Sequence, residues 1–89
     1  MTFSLGNTYL TPGVQDLMAR GTVNPLALLS RHARCDWGEM SPEDRRANNR
    51  ALTDGTRLFS AYQVTPDVRV WVITEADRSA TTLLLPSEY

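Results

Sequence analysis

The pattern of apolar and polar positions changes once, at Gly55. Before it, apolar residues recur at helical spacing behind start signals; after it, β-branched and aromatic residues run in short alternating stretches. Phe3, Leu5 and Tyr9 alternate loosely around Gly6 and Asn7, which predicts a short edge strand or an irregular arm over Phe3–Leu10. Thr11-Pro12 is a cap followed by proline in the first turn, and Val14, Leu17 and Met18 give that helix its stripe up to Gly21. Asn24-Pro25 repeats the signal, with Leu26, Leu28, Leu29 and Ala33 as the expected buried stripe of a second helix to about Arg34. Ser41-Pro42-Glu43-Asp44 opens a third, "PEDRRANNRALTD", in which two acids meet the positive helix end and only Ala47, Ala51 and Leu52 form an apolar strip.

Beyond Gly55, "TRLFSAYQV" and "VRVWVITE" flank the turn "TPD", and "ADRS" leads into "ATTLLLP". Val68, Val70 and Val72 share one face of their strand, while Arg69, Trp71, Ile73 and Glu75 share the other. The expectation is a single α+β domain over residues 1–89. It has a short N-terminal arm or strand, three helices, then a three-stranded antiparallel β-meander with the helices on one face.

Composition narrows the function classes. The chain has 89 residues, one cysteine and a formal net charge of -1, so a second core, an internal disulfide and a domain built chiefly to grip phosphates are all disfavoured. All basic residues are arginine. No apolar run approaches a membrane span and the start lacks a signal-peptide pattern, so a cytoplasmic setting without membrane attachment is expected.

The candidate chemistry is sparse. His32, Cys35 and Asp36 lie close in sequence, but such a local trio falls short of a metal site with its supporting shell, and no metal or cofactor is expected. His32 reads as the polar side of the second helix, and Trp37 as a lid on the core. Glu75, Asp77, Arg78, Ser79 and Thr81 read first as a polar hairpin turn, with Glu75 and Thr81 facing across it. Arg45, Arg46 and Arg50 beside Asn48 and Asn49 could read nucleic acid, but Arg31–Arg57 carries six basic and five acidic residues, leaving +1, and a solvated face is the favoured reading. Trp71, Ile73 and Arg69, exposed together on one strand, would make a partner surface.

"DWG" at Asp36–Gly38, "EDRRANNRAL" at Glu43–Leu52, "LFSAY" at Leu58–Tyr62 and "VWVITEADRSATTLLLPSEY" at Val70–Tyr89 resemble a family of short uncharacterised proteins encoded on bacterial plasmids and integrative mobile elements. The resemblance, from Arg31 onward, implies a bacterial cytosolic setting and carries no functional residues across. Two functions are therefore weighed. The first is a non-enzymatic protein-interaction module, an accessory or anti-defence factor (anti-restriction or anti-CRISPR-like), binding a protein partner through Trp71, Ile73, Arg69, Arg46 and Arg50. The alternative is a small ribonuclease resembling barnase/RelE-like toxins, with Glu75 as base, Arg78 as phosphate clamp, His32 as acid and Tyr62 as a stacking platform. In this comparison a protein partner is favoured over nucleic acid.

Overall fold

The computed structural model describes residues 3–89. Its elements run β1 (Asn7–Leu10), α1 (Pro12–Ala19), α2 (Pro25–Ala33), α3 (Pro42–Asp54), β2 (Leu58–Thr65), β3 (Val68–Thr74) and β4 (Ala80–Leu84), ending in a 3₁₀ turn, Pro86–Glu88. The helix starts follow from local chemistry. The Asn24 side chain accepts from the amides of Leu26 and Ala27, and Ser41 Oγ accepts from Asp44 N–H, each satisfying donors that the first turn leaves unpaired. The α3 helix closes at Gly55 in a left-handed conformation, φ 74°. At α1 the cap comes from the far end of the chain: Thr11 makes no side-chain cap, and Glu88 instead accepts from Thr11 Oγ1 and Gly13 N–H.

The sheet corrects the expected meander. It has four strands in the order β1-β4-β3-β2, and β1 pairs parallel to β4, with Thr8 opposite Thr81 and Leu10 opposite Leu83. The β2-β3-β4 portion is antiparallel, as alternation implies, so the whole sheet is mixed. The parallel strand is possible because three helices intervene between β1 and the hairpins, supplying the long crossover that a parallel neighbour needs.

Alternation then sorts the side chains. Leu58, Ser60, Tyr62, Val70, Val72, Thr74, Thr81 and Leu83 are buried, and Tyr62, Val70, Val72 and Leu83 pack with Val14, Val23 and Leu28 into the main core. A second cluster joins Trp37, Ala51 and Leu58. In α2 the stripe is rotated from the expected one. Leu28 and His32 are buried whereas Leu26 stands in solvent, so His32 is not on the polar side of its helix. In α3 the inward residues are Asn48 and Ala51, with Ala47 exposed.

The outer edge of β2 is closed. Asn48 Nδ2 donates to Phe59 C=O at 2.7 Å and its Oδ1 accepts from Phe59 N–H at 3.0 Å, so one side chain stands in for a neighbouring strand. Two residues on, Ala61 N–H donates to Trp37 C=O and Ala61 C=O accepts from Glu39 N–H. Asn48→Ala should therefore lower stability by about 2 kcal/mol, because two backbone groups lose partners where water has poor access. Urea unfolding would test this, and a loss within error of zero would show that water replaces the amide freely.

Candidate functional site

The α-helices pack through Val14, Leu28 and Ala51 against one face of the sheet, and the other face carries a set of aromatic residues. Register places Tyr9, Thr82, Ile73 and Phe59 in one row across the strands, and Leu84, Trp71 and Ala61 in the next. The Phe59 and Trp71 rings pack at 4.9 Å between centroids, and Tyr89 meets Trp71 edge-on at 5.6 Å. Arg57 lies over Phe59 at 6.0 Å and over Tyr89 at 5.8 Å, and its Nη1 donates to Tyr89 Oη at 2.9 Å. Arg69 sits at the next row, its Nε donating to Gln63 Oε1. Ile73 is only 7% exposed, so it is a floor for the rings rather than a contact residue, while Trp71 is half-buried and Tyr89 exposed.

The face therefore joins Trp71 and Arg69 to three residues that alternation within one strand did not reach: Arg57, Phe59 and Tyr89. Only Phe59 had a signal, in the "TPD" turn. Counting outward from its three residues pairs Phe59 with Ile73, and the observed irregularity between Gln63 and Thr65 restores that register after Thr65 pairs with Val68. Arg46 and Arg50 are elsewhere. Each lies two positions from inward-facing Asn48, hence on the far side of α3, exposed and remote from the aromatic face.

The residues of the ribonuclease reading do not share a cleft. His32 is fully buried, its Nδ1 2.5 Å from Ser60 Oγ and its Nε2 2.9 Å from Thr74 Oγ1. Thr74 Oγ1 in turn meets Thr81 Oγ1 at 2.7 Å, and Thr81 donates to Leu5 C=O, closing a chain of satisfied polar groups. Phe3 and Trp37 pack against the imidazole, and burial pulls its pKa down to about 4. The ring is thus neutral near pH 7 and sealed from solvent.

Arg78 serves the fold. Its guanidinium donates to the carbonyls of Thr56, Ala51, Glu75 and Ala76, tying the β3–β4 turn to the carboxyl end of α3. Glu75 is exposed, and Thr81 pairs with Thr74 rather than with it. Tyr62 is buried, its Oη donating to Asp36 C=O and its pKa pushed up to about 12, chiefly by burial, so no base can stack on it. Arg31 pairs with Asp36 at 2.7 Å and covers the Tyr62 ring at 4.5 Å, which makes the "RHARCDWG" segment a structural brace. Among the described residues no group of three His, Cys, Asp or Glu side chains is placed to hold a metal ion, and no helix is long and apolar enough to cross a membrane. Comparison with known proteins finds no matching family model, no matching curated protein and no matching solved structure.

Proposed function

We propose that this chain is a small protein-interaction module without enzymatic activity, serving a bacterial mobile element in the cytosol as an accessory or anti-defence factor. Its partner docks on the aromatic face of the sheet. The observation that supports this is the grouping of Phe59, Trp71 and Tyr89 under Arg57, with Arg69 alongside, on the side that no helix covers. Aromatic residues and arginine are the side chains that most often dominate the binding energy of protein interfaces, because they combine large contact area with few rotors or a planar donor fork. The mobile-element setting rests on the C-terminal resemblance.

Capture from a bacterial lysate with tagged protein tests the reading. Trp71→Ala and Arg57→Glu should each reduce recovery of the captured partner at least tenfold while both variants keep a cooperative melt, since central interface residues of these types commonly contribute above about 2 kcal/mol. Undiminished capture by both folded variants would show that the partner binds elsewhere.

A further inference from the structure

The two edges of the sheet are treated differently. Asn48 and the Trp37–Glu39 segment close β2, but nothing among the described residues closes β1. In β1, Asn7 N–H donates to Ser79 C=O and Thr11 N–H to Leu83 C=O, so the odd-numbered residues face β4. The backbone groups of Thr8 and Leu10 therefore point outward, along an edge that carries no charge, proline or bulge, the features by which proteins usually discourage strand addition.

Beside this edge, on the helix side, lies a groove of about 650 Å³ lined by Thr8, Leu10, Met18, Val23, Leu26 and Leu29 among others, with no charged residue in its wall. Of the four large apolar side chains exposed among the described residues, three belong to this edge: Met18 at 44% and Leu26 at 76% line the groove, and Tyr9 at 52% stands on β1 itself, on its other face. An open backbone edge asks for an extended strand, and an uncharged apolar groove asks for neutral side chains at alternate positions of that strand. The sequence of β1, "NTYL", meets both requirements itself.

We propose that the occupant is β1 of a second copy of this chain, forming a two-fold symmetric dimer with one continuous eight-stranded sheet. The register follows from which groups point outward. Thr8 exchanges N–H···O=C bonds with Leu10 of the second copy, and Leu10 with Thr8 of the second copy. This places the two-fold axis at Tyr9, whose ring meets Tyr9 of the second copy as a close non-hydrogen-bonded pair. So short a ladder contributes little alone. The apolar cover supplies the rest: the two grooves open onto one another, and Met18 and Leu26 of each copy are withdrawn from water. No like charges meet across the axis, since neither the edge nor the groove bears any. This inference is independent of the docking surface proposed above, because that surface is centred on β2 and β3, at the other end of the strand order from the β1 edge.

Sedimentation of the full chain from micromolar to near-millimolar concentration tests it, alongside hydrogen exchange read residue by residue. The expected result is a concentration-dependent dimer in which the Thr8 and Leu10 amides gain protection as the dimer forms. Thr8→Pro removes one outward N–H without touching the ladder to β4, and Leu26→Asp places charge in the seam. Each should raise the dissociation constant at least tenfold while the thermal melt at low concentration is unchanged. A wild-type chain that stays monomeric throughout overturns the proposal. So does a dimer that persists in both variants with Thr8 and Leu10 exchanging freely, which would place the contact on another surface.

Discussion

Unfolding free energy should fall by about 3 kcal/mol as pH drops from 6.5 to 4, and the slope in that window should belong to His32. The native ring is sealed between Ser60 and Thr74 and holds its proton only below about pH 4, whereas an unfolded histidine takes one near 6.5. Between those values the unfolded chain binds a proton that the native chain does not, so stability is lost as pH falls; below about 4 both states are protonated and this slope ends. Carboxylates add acid sensitivity lower down. Asp36 is held below its ordinary range chiefly by the hydrogen bond from Arg31, Asp77 by Ser79 and Glu88 by Thr11, so their contributions fade as pH falls below the usual carboxylate values. Urea midpoints measured across pH 4–6.5 check the prediction, with His32→Leu as the control. That variant should be less stable near pH 7, since Ser60 loses its partner, yet flat across the window. A sloping profile in His32→Leu would assign the protons to another group.

Gly38→Ala should cost about 3–5 kcal/mol, enough to unfold much of a domain this small. Gly38 sits at φ 74°, and a Cβ there would lie 2.1 Å from the Ala61 carbonyl oxygen and 2.7 Å from the Tyr62 ring. Neither neighbour can yield cheaply: Ala61 is held to Trp37 and Glu39, and Tyr62 is buried with its hydroxyl bonded to Asp36. Gly55→Ala isolates the conformational part. It has nearly the same backbone angle but nothing within 4 Å of the added carbon, so it should cost only about 1–2 kcal/mol. Thermal or urea unfolding of the pair gives the difference directly. Equal losses would mean that the segment beside β2 moves aside and that this edge is less firmly closed than its hydrogen bonds indicate.

Part of this architecture is written in short-range signals. Asn24 and Ser41 mark helix starts because their side chains bond amides two or three residues away, and no distant partner is needed. The division of β3 into Val70 and Val72 on one face and Trp71 on the other follows from strand alternation, and the candidate surface inherits its centre from it. The four-stranded mixed sheet overturns the three-stranded antiparallel meander expected from the same strands, because the pairing of β1 with β4 joins opposite ends of the chain and leaves no mark on residues near either.

Other features depend on what the folded chain brings together. A helical stripe permits either Leu26 or His32 to turn inward. The choice fell to His32 because Ser60, Thr74 and Thr81, from three different strands, supply partners for an imidazole that would otherwise be costly to bury. Asn48 reads as a solvated helix residue until β2 lies beside it, and Arg78 as a ligand clamp until four carbonyls surround it. Local pattern determined element type and strand faces through forces that act over a few residues. Which polar groups were buried, which sheet edge stayed open and which aromatics met on one face depended on contacts between distant segments, where desolvation makes a polar group either well paired or expensive.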